Sequence, residues 1–373
     1  MRNYGLRGVA LQVQHGEALH SRHGCLASRL RRYEDSRANQ NCTGNHVEDN
    51  SQFMNSHTER PPARFRGRVL FLCVLISALV LAAFGCYHHF YISRPIGRGP
   101  AGPSLSPQLF AKPWTSRPVV LVGLGDSVTA GFGARKGYGY FDRLAKNPID
   151  EFPAMAGVSL SALFPQLRAT NLAVSGSVSL ELAEKQLPRL PVVDSNTLGL
   201  IVITTGGNDL IHNYGRTPPR EFAMYGATLE QAKPWIGHFE ERLEFIFGKL
   251  NDHFKGGCQI FIANIYDPTD GNGNIEKAGL PAWIDGPKLL TAYNQAIGVC
   301  AAKHPNVHVV NMHDAFLGHG INCTQFWSTY YQRSDPHYWY YDNLEDPNER
   351  GYDALRRLFL IEIAKVSELR RGP

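Results

Sequence analysis

Apolar positions follow two alternating patterns from residue 119 onward. Short β-prone apolar runs predict buried strands, and longer segments with an apolar residue every three or four positions predict amphipathic helices. The predicted strands are 119–122, 170–174, 199–204, 259–265 and 307–310, and the predicted helices are 178–186, 233–253, 287–302 and 351–366. Strands that alternate with helices indicate an α/β fold, a three-layer α/β/α sandwich around a five-stranded parallel sheet.

One apolar segment has no place in this alternation. Residues 69–87 contain no charged side chain. A helix of this length spans most of a bilayer core of about 30 Å. Four arginines flank its amino side, namely Arg60, Arg64, Arg66 and Arg68. The positive-inside rule therefore predicts a single-pass transmembrane anchor, with residues 1–68 in the cytoplasm and the following domain outside it.

A cleaved signal is the alternative interpretation of the same segment. Met54 is followed by arginines, the apolar core and Ala83-Phe84-Gly85-Cys86, which resembles a lipobox without its usual leucine. In that case the domain is secreted or is a lipoprotein, and residues 1–53 are an over-extended start. We favour the uncleaved anchor. A buried soluble helix is disfavoured by the four arginines and by the polar segment that follows.

The flanking segments differ from the domain in composition. Residues 1–68 hold eleven arginines, no lysine and six acidic residues, which accounts for the whole net charge of +5, and they are expected to be disordered. Residues 88–117 are rich in Pro, Gly and Ser and are expected to be a flexible linker to a domain at 118–370. That domain has no basic excess, so no nucleic-acid partner is expected.

Candidate chemistry lies where the first three strands end. Residues 121–134 read LVGLGDSVTAGFGA, so the first strand ends in Gly125-Asp126-Ser127. Acyl-transfer enzymes place a nucleophilic serine on such a tight turn after a buried strand. The second strand leads to Gly176, and the third leads to Gly206-Gly207-Asn208-Asp209.

In this order, the three blocks resemble those of the SGNH (GDSL-type) hydrolases, whose blocks run Gly-Asp-Ser, a lone Gly, and Gly-x-Asn-Asp. The resemblance covers roughly residues 118–366 and implies the flavodoxin-like SGNH hydrolase fold. In that family the serine attacks an ester carbonyl, and three donors stabilise the oxyanion. Carried over to this chain, the donors are the N–H groups of Ser127 and Gly176 and the side chain of Asn208.

The last block departs from the family pattern, which is Asp-x-x-His followed by Pro-Asn and a glycine. In Ser334-Asp335-Pro336-His337 the aspartate precedes the histidine by two residues instead of three. We prefer His337 as the base and Asp335 as its orienting partner. Imidazole titrates near neutrality and can both accept and return the serine proton, whereas a solvated carboxylate is too weak a base.

A second alignment of the last block stays open. Aligning Pro347-Asn348 and Gly351 with the family pattern puts Asp346 in the place of the histidine and Asn343 in that of the aspartate. Two further histidines, His313 and His319, are fallback bases. His304 precedes Pro-Asn but lies between a predicted helix and a predicted strand, so a structural role is expected for it.

Cysteine and acidic residues add little chemistry. Cys258 and Cys300 are the more plausible disulfide pair in the domain, with three free thiols, including Cys323, as the alternative. Residues 267–274 carry Asp and Asn oxygens, but the sixth and twelfth positions counted from Asp270 are not the Gly and Glu of an EF-hand loop. We expect a turn there, and neither a metal nor an organic cofactor.

These observations lead to one preferred function and two rivals. The preferred function is a membrane-tethered serine esterase that acts on small-molecule or polysaccharide esters, with O-acyl carbohydrate and lipid esters both open. The rivals are a non-catalytic glycan-binding module of the same fold and an acyltransferase. An aromatic group near His337 either binds substrate or packs the last helix onto the sheet. Its members are Trp327, Tyr330, Tyr331, Tyr338, Trp339, Tyr340 and Tyr341. The oligomeric state is left open.

Overall fold

A parallel β-sheet forms the centre of the domain in the computed structural model, which describes residues 63–370. Its strands are β1 (Val119–Gly125), β2 (Leu167–Asn171), β3 (Leu198–Thr204), β4 (Cys258–Ala263) and β5 (Val307–Val310). They lie in the order β2-β1-β3-β4-β5, and every pairing is parallel. The predicted five-stranded parallel sheet is confirmed.

Helices cover the sheet on both faces. The α-helices are α1 (Ala63–Tyr87), α2 (Ser127–Ala130), α3 (Tyr140–Ala145), α4 (Leu160–Leu163), α5 (Ser179–Glu181), α6 (Gly207–Ile211), α7 (Leu229–His253), α8 (Gly286–Ala302), α9 (Met312–Phe316) and α10 (Glu349–Lys365). α7 and α8 pack on one face, and α3 and α10 pack on the other. Successive residues of β1 alternate between these two cores, which produces the predicted three layers.

The sequence pattern locates the buried elements better than the exposed ones. α7 begins at Leu229, four residues before the predicted start, because Thr228 and Gln231 form a capping box. β2 lies at 167–171 and not at 170–174. This strand is at the edge of the sheet and most of its side chains are at least partly exposed, so an apolar pattern does not mark its bounds.

The apolar helix lies where the sequence predicts it. α1 continues through a π-helical turn, His88–Ile92, and residues 67–92 are long and apolar enough to cross a membrane by length and composition. The side chains of this span are exposed. The helix is compatible with both a membrane anchor and a signal sequence. Residues 1–62, which hold most of the predicted Arg-rich segment, lie outside the described residues.

The expected flexible linker is packed against the domain along residues 94–103, which we call the strap. The carbonyl of Arg98 accepts a 2.6 Å bond from the Arg350 guanidinium, and the N–H of Ala101 donates to Asp353 over 3.0 Å. A Cβ on Gly102 would lie 2.6 Å from the Cα of Ala354, so the strap approaches α10 as closely as backbone allows. The expectation of a free tether is therefore corrected for these residues.

The expected disulfide is also corrected, because Cys258 and Cys300 are free, buried thiols. The Cys258 thiol donates to the side chain of Asn251, and the Cys300 thiol donates to the carbonyl of Glu240. Both partners belong to α7, and eleven residues of helix separate them by about 16 Å. A disulfide needs Cα atoms within about 7 Å, so the two thiols contact α7 too far apart to bond.

Buried ion pairs join α10 to α3 and to the loop after it. The Asp353 carboxylate lies 2.7 Å from the Arg356 guanidinium and 3.3 Å from that of Arg143. Arg143 also lies 3.0 Å from Glu151, which Arg356 contacts as well. Burial alone would raise the pKa of Glu151, but the bonds from Arg356 and Arg143 lower it to about 2. The network therefore stays ionised and fixes the amino-terminal half of α10.

Asp353→Asn should lower the free energy of unfolding by roughly 3–5 kcal/mol, because it leaves buried arginines without a compensating charge. Urea denaturation measures this loss. Glu362→Gln on the same helix removes an exposed pair with Lys365 and should change stability by less than about 1 kcal/mol. Equal stabilities for the two variants would contradict a structural role for the network.

Candidate active site

Ser127 is the first residue of α2 and follows β1 on a sharp turn. Gly125 has φ +117°, and a Cβ there would lie 1.7 Å from the Thr204 carbonyl oxygen, so only glycine fits. The Asp126 carboxylate accepts the Val128 N–H over 3.1 Å and the Thr204 hydroxyl over 2.6 Å. Asp126 therefore braces the turn that presents Ser127.

The loop after β2 is tied to this turn by Gln186, a buried side chain that no sequence motif marks. Its amide binds both the N–H (2.8 Å) and the carbonyl (2.7 Å) of Gly125, and it also donates to the Ser177 hydroxyl over 3.1 Å. Gly176 lies in the same loop, is exposed and has φ +81°. Gln186 thus fixes the Gly176 loop relative to the serine turn.

The turn after β3 joins the same group of loops. Asn208, on α6, donates its side-chain amide to the carbonyl of Ser177 over 3.0 Å. Asp209 is fully buried and accepts both the N–H (2.9 Å) and the hydroxyl (2.5 Å) of Ser179. The three loops that carry the family-like blocks therefore meet at the carboxyl edge of the sheet.

Ser127 and Asn208 line one cavity of about 110 Å³. The apolar part of its wall consists of Val128, Ile211, Tyr214, Ala263, Ile265, Tyr266, Pro268, Ile275, Leu280, Met312 and Leu344. The remaining lining residues are Asp126, Thr204, Thr205, Gly207, Asn264, Asn343 and Glu345. Among the described residues, neither Gly176 nor any histidine lines this cavity.

The group that interacts with the Ser127 side chain is the carboxylate of Asp346. Its Oδ2 accepts a 2.7 Å bond from the Asn343 amide. Its Oδ1 is buried and accepts no bond of standard geometry within the described chain, although the Ser127 hydroxyl is close enough to lower its pKa. Catalytic hydrogen bonds are often long before substrate binds. Burial outweighs both partners and raises the pKa of Asp346 above its ordinary value.

Two carboxyl groups that line the cavity have shifted pKa values. Burial raises the pKa of Asp126 to about 7, although the Thr204 hydroxyl opposes the shift. Burial, assisted by the charge of Asp346, raises the pKa of Glu345 to about 7. The carboxyl groups around Ser127 therefore have an unusually high proton affinity.

The first turn of α10 holds the Asp346 loop in place. The Asn348 side chain caps α10 by accepting the N–H of Arg350 over 2.9 Å, and it donates to the carbonyl of Tyr338 over 2.8 Å. The Asp346 carbonyl accepts the Tyr341 N–H over 2.7 Å. Leu344 has φ +66°, a strained conformation for this residue type that often occurs at functional sites.

His337 and Asp335 bind each other in a different place. The His337 Nδ1 lies 2.5 Å from the Asp335 carboxylate, which also accepts 2.6 Å bonds from Arg350. Although burial opposes them, His337 and Arg350 hold the pKa of Asp335 below its usual value. The His337 ring packs against Gly97 of the strap. The structure thus forms the predicted pair but does not bring it to the Ser127 cavity.

The three other histidines that the sequence analysis considered, His319, His313 and His304, have structural partners. His319 is buried, stacks on Trp339 at 3.4 Å between ring centroids and donates to the carbonyl of His337, and burial lowers its pKa to about 4. His313 donates to the carbonyl of Ile265 over 2.9 Å. His304 lies 2.8 Å from Glu244 of α7. Neither fallback base lines the Ser127 cavity.

The aromatic group divides into two sets. Tyr338, Trp339 and Tyr340 are buried in the core, as the packing interpretation requires, whereas Trp327, Tyr330 and Tyr341 are exposed and Tyr331 is half-buried. In the acidic loop at 267–274, Asp267 accepts the N–H groups of Thr269 and Gly271 within the loop. Asp270 accepts the backbone N–H groups of residues 318, 320 and 322.

This architecture defines a class: α/β proteins that present a serine turn and an Asn-Asp turn together at the carboxyl edge of a five-stranded parallel sheet. The model of the GDSL-like lipase/acylhydrolase family matches residues 124–354, and the chain belongs to this family. The family assignment agrees with the resemblance of the three sequence blocks.

Several solved structures are similar to this chain at low identity. An acetylxylan esterase from Geobacillus stearothermophilus is 18% identical, with a TM-score of 0.38, covering 67% of this chain and 94% of that chain. A phospholipase A1 from Streptomyces albidoflavus is 20% identical, with a TM-score of 0.41, covering 66% and 98%. A lipolytic G-D-S-L protein from Veillonella parvula is 14% identical, with a TM-score of 0.41, covering 66% and 100%. No curated protein matches the chain.

Proposed function

We propose that the protein is a serine esterase that hydrolyses carboxylic esters through an acyl-enzyme on Ser127. The observation that supports this most directly is that Ser127 lines an apolar cavity while its hydroxyl interacts with the buried Asp346 carboxylate. In this proposal the Ser127 N–H and the Asn208 side chain, which line the cavity, stabilise the oxyanion together with the N–H of Gly176 from the adjoining loop. The domain lies outside the cytoplasm, held by the apolar helix, with the amino terminus inside.

Asp346 takes the role that the sequence favoured for His337. Its Oδ1 accepts the serine proton while Oγ bonds to the ester carbon, and the carbonyl electron pair moves onto the oxyanion. Collapse of this intermediate breaks the bond to the alcohol, which leaves with the proton from Asp346. Water then attacks the acyl-enzyme by the same steps, which releases the acid and restores Ser127. Asn343 holds the other carboxylate oxygen, as the family's aspartate holds its histidine.

A buried carboxylate is a stronger base than a solvated one. The argument that a carboxylate is too weak to take the serine proton therefore does not apply to Asp346. Desolvation destabilises the charged form and brings the pKa of Asp346 closer to neutrality. General-base efficiency rises as the pKa approaches the operating pH.

Ser127→Ala should abolish labelling by a fluorophosphonate probe. Asp346→Asn should lower kcat/KM for p-nitrophenyl esters by about 10²–10⁴-fold, the usual contribution of a general base. Asp342→Asn is the matched control, because it removes an exposed carboxylate from the same loop, and it should retain activity.

His337→Ala distinguishes the two base assignments. Activity should survive this substitution if Asp346 is the base. Loss of activity in His337→Ala, together with retention in Asp346→Asn, would instead support the His337–Asp335 pair.

Activity should depend on pH through Asp346. Because only the ionised carboxylate accepts the serine proton, kcat/KM should rise with pH through a midpoint above the ordinary aspartate value of about 4. Glu345→Gln should retain this rise, since Glu345 affects Asp346 only as a neighbouring charge. If the rise of kcat/KM with pH disappears in His337→Ala but persists in Asp346→Asn, Asp346 is not the base.

The shape of the cavity favours an apolar acyl group over acetyl. A second cavity of about 110 Å³ shares Ile211, Tyr266, Pro268 and Ile275 with the Ser127 cavity. Apolar cavities of comparable size take up small hydrocarbons. An acyl chain attached to Ser127 therefore has apolar space to extend into.

p-Nitrophenyl hexanoate should consequently be a better substrate than the acetate. Ile275→Trp should lower kcat/KM for hexanoate by about tenfold and leave acetate nearly unchanged, because the new ring fills the shared wall. Val192→Trp, at a fully exposed position, should change neither rate. A wild-type preference for acetate would contradict the acyl-chain assignment.

A non-catalytic glycan-binding module is the second candidate, and it is favoured by one observation: no described histidine lines the Ser127 cavity. Ester turnover by the wild type that is lost in Ser127→Ala would exclude it. An acyltransferase would share the acyl-enzyme, and analysis of products with an added sugar acceptor separates it from a hydrolase.

A further inference from the structure

Four exposed aromatic side chains surround the carboxyl end of the apolar helix, and we call them the collar. Tyr87 and Tyr91 belong to the last turns of the helical span, and Phe326 and Trp327 belong to the loop that follows α9. Their exposed fractions are 55%, 46%, 63% and 49%. Soluble proteins rarely expose a contiguous apolar patch unless something covers it.

The collar is one packed surface. The rings of Tyr87 and Tyr91 stack at 5.4 Å, and Tyr91 lies 6.1 Å from Trp327. Trp327 also contacts Phe326 at 4.9 Å and the less exposed Phe90 at 5.0 Å, so the rings of helix and loop form a continuous group.

Hydrogen bonds fix the loop to the end of the helix. The Thr324 hydroxyl donates to the carbonyl of His89 over 3.1 Å, and the Gln325 amide donates to the carbonyl of Phe90 over 3.0 Å. Both donors are buried side chains. Phe326 and Trp327 therefore keep a fixed position along the helix axis.

The length of the helical span places the collar at the depth of lipid headgroups. Residues 67–92 number 26, which corresponds to about 39 Å of helix if every residue rises by the α-helical 1.5 Å. The hydrocarbon core of a bilayer is about 30 Å thick, and the headgroup regions bring it to about 40–45 Å. If the helix spans a bilayer, its last turns lie in the interfacial layer, where Tyr and Trp are enriched.

Cationic side chains lie beside the collar. The Lys277 ammonium is 5.3 Å from the centre of the Tyr91 ring, and the Arg94 guanidinium donates to the carbonyl of Lys277 over 3.5 Å. Basic groups next to a membrane segment attract anionic headgroups. The charge around the collar thus matches a lipid surface as its partner.

We propose that the collar docks into the headgroup layer of the same bilayer that the apolar helix crosses, and so holds the domain against the membrane in one orientation. Ile275 lines the Ser127 cavity and is two residues from Lys277, which faces Tyr91. Docking therefore keeps one wall of the cavity close to the lipid surface. Docking itself does not depend on the proposed esterase activity.

Quenching of tryptophan fluorescence by brominated lipids tests the proposal. The full chain is reconstituted into phosphatidylcholine vesicles with bromine either near the headgroups or deep in the acyl chains. Shallow bromine should quench the wild type more than deep bromine does. Trp327→Phe, which keeps an aromatic ring, should reduce the shallow quenching at least twofold. Trp114 packs on Phe164 just before β2, the edge strand opposite β5. Trp114→Phe should leave the shallow quenching unchanged.

Three results would overturn docking. One is equal shallow quenching in the wild type and in Trp327→Phe. Another is a Trp327 signal that aqueous iodide quenches and bromolipid does not, which would place the collar in water. A Trp327 signal shielded from both quenchers would mean that protein covers the collar. Fluorescence reports on docking whether or not the sample hydrolyses esters, so failure of the esterase proposal is a separate outcome.

Discussion

The backbone contact between Gly125 and Thr204 is the constraint on which the rest of the site depends. Because Gly125 has no side chain, the carboxyl ends of β1 and β3 approach closely enough for Asp126 to bind the Thr204 hydroxyl. That bond orients the turn of Ser127, and Gln186 holds the same glycine from the side of β2. Three loops that are far apart in the chain are thereby fixed around one hydroxyl before any substrate arrives.

The carboxylate next to Ser127 shows how burial can change the basicity of a side chain. Asp346 is buried beside Ser127, where its charge is poorly solvated. His337 instead contacts Asp335, which Arg350 also binds, and its ring packs against Gly97 of the strap. The imidazole of His337 thus lies against the strap, and a desolvated carboxylate lies beside the serine.

Local sequence patterns predict the buried parts of this molecule and miss what depends on distant partners. Continuous apolar runs define β1 and β3, and the small-residue blocks after them identify Ser127 and Asn208. The strap has the composition of a linker, and its packing depends on Asp353, 252 positions away from Ala101. Similarly, the choice between His337 and Asp346 depends on burial and on Arg350, neither of which the spacing of the last block reveals.

The strap has a consequence for how the domain is retained. Its carbonyls and N–H groups are bound by Arg350 and Asp353 at the start of α10, so a protease cannot accommodate this stretch as an extended peptide without first detaching it. Detachment would also expose the buried carboxylate of Asp353. Cleavage of the strap therefore requires that Arg350 and Asp353 first release its backbone, so α10 protects the segment that joins the apolar helix to the domain.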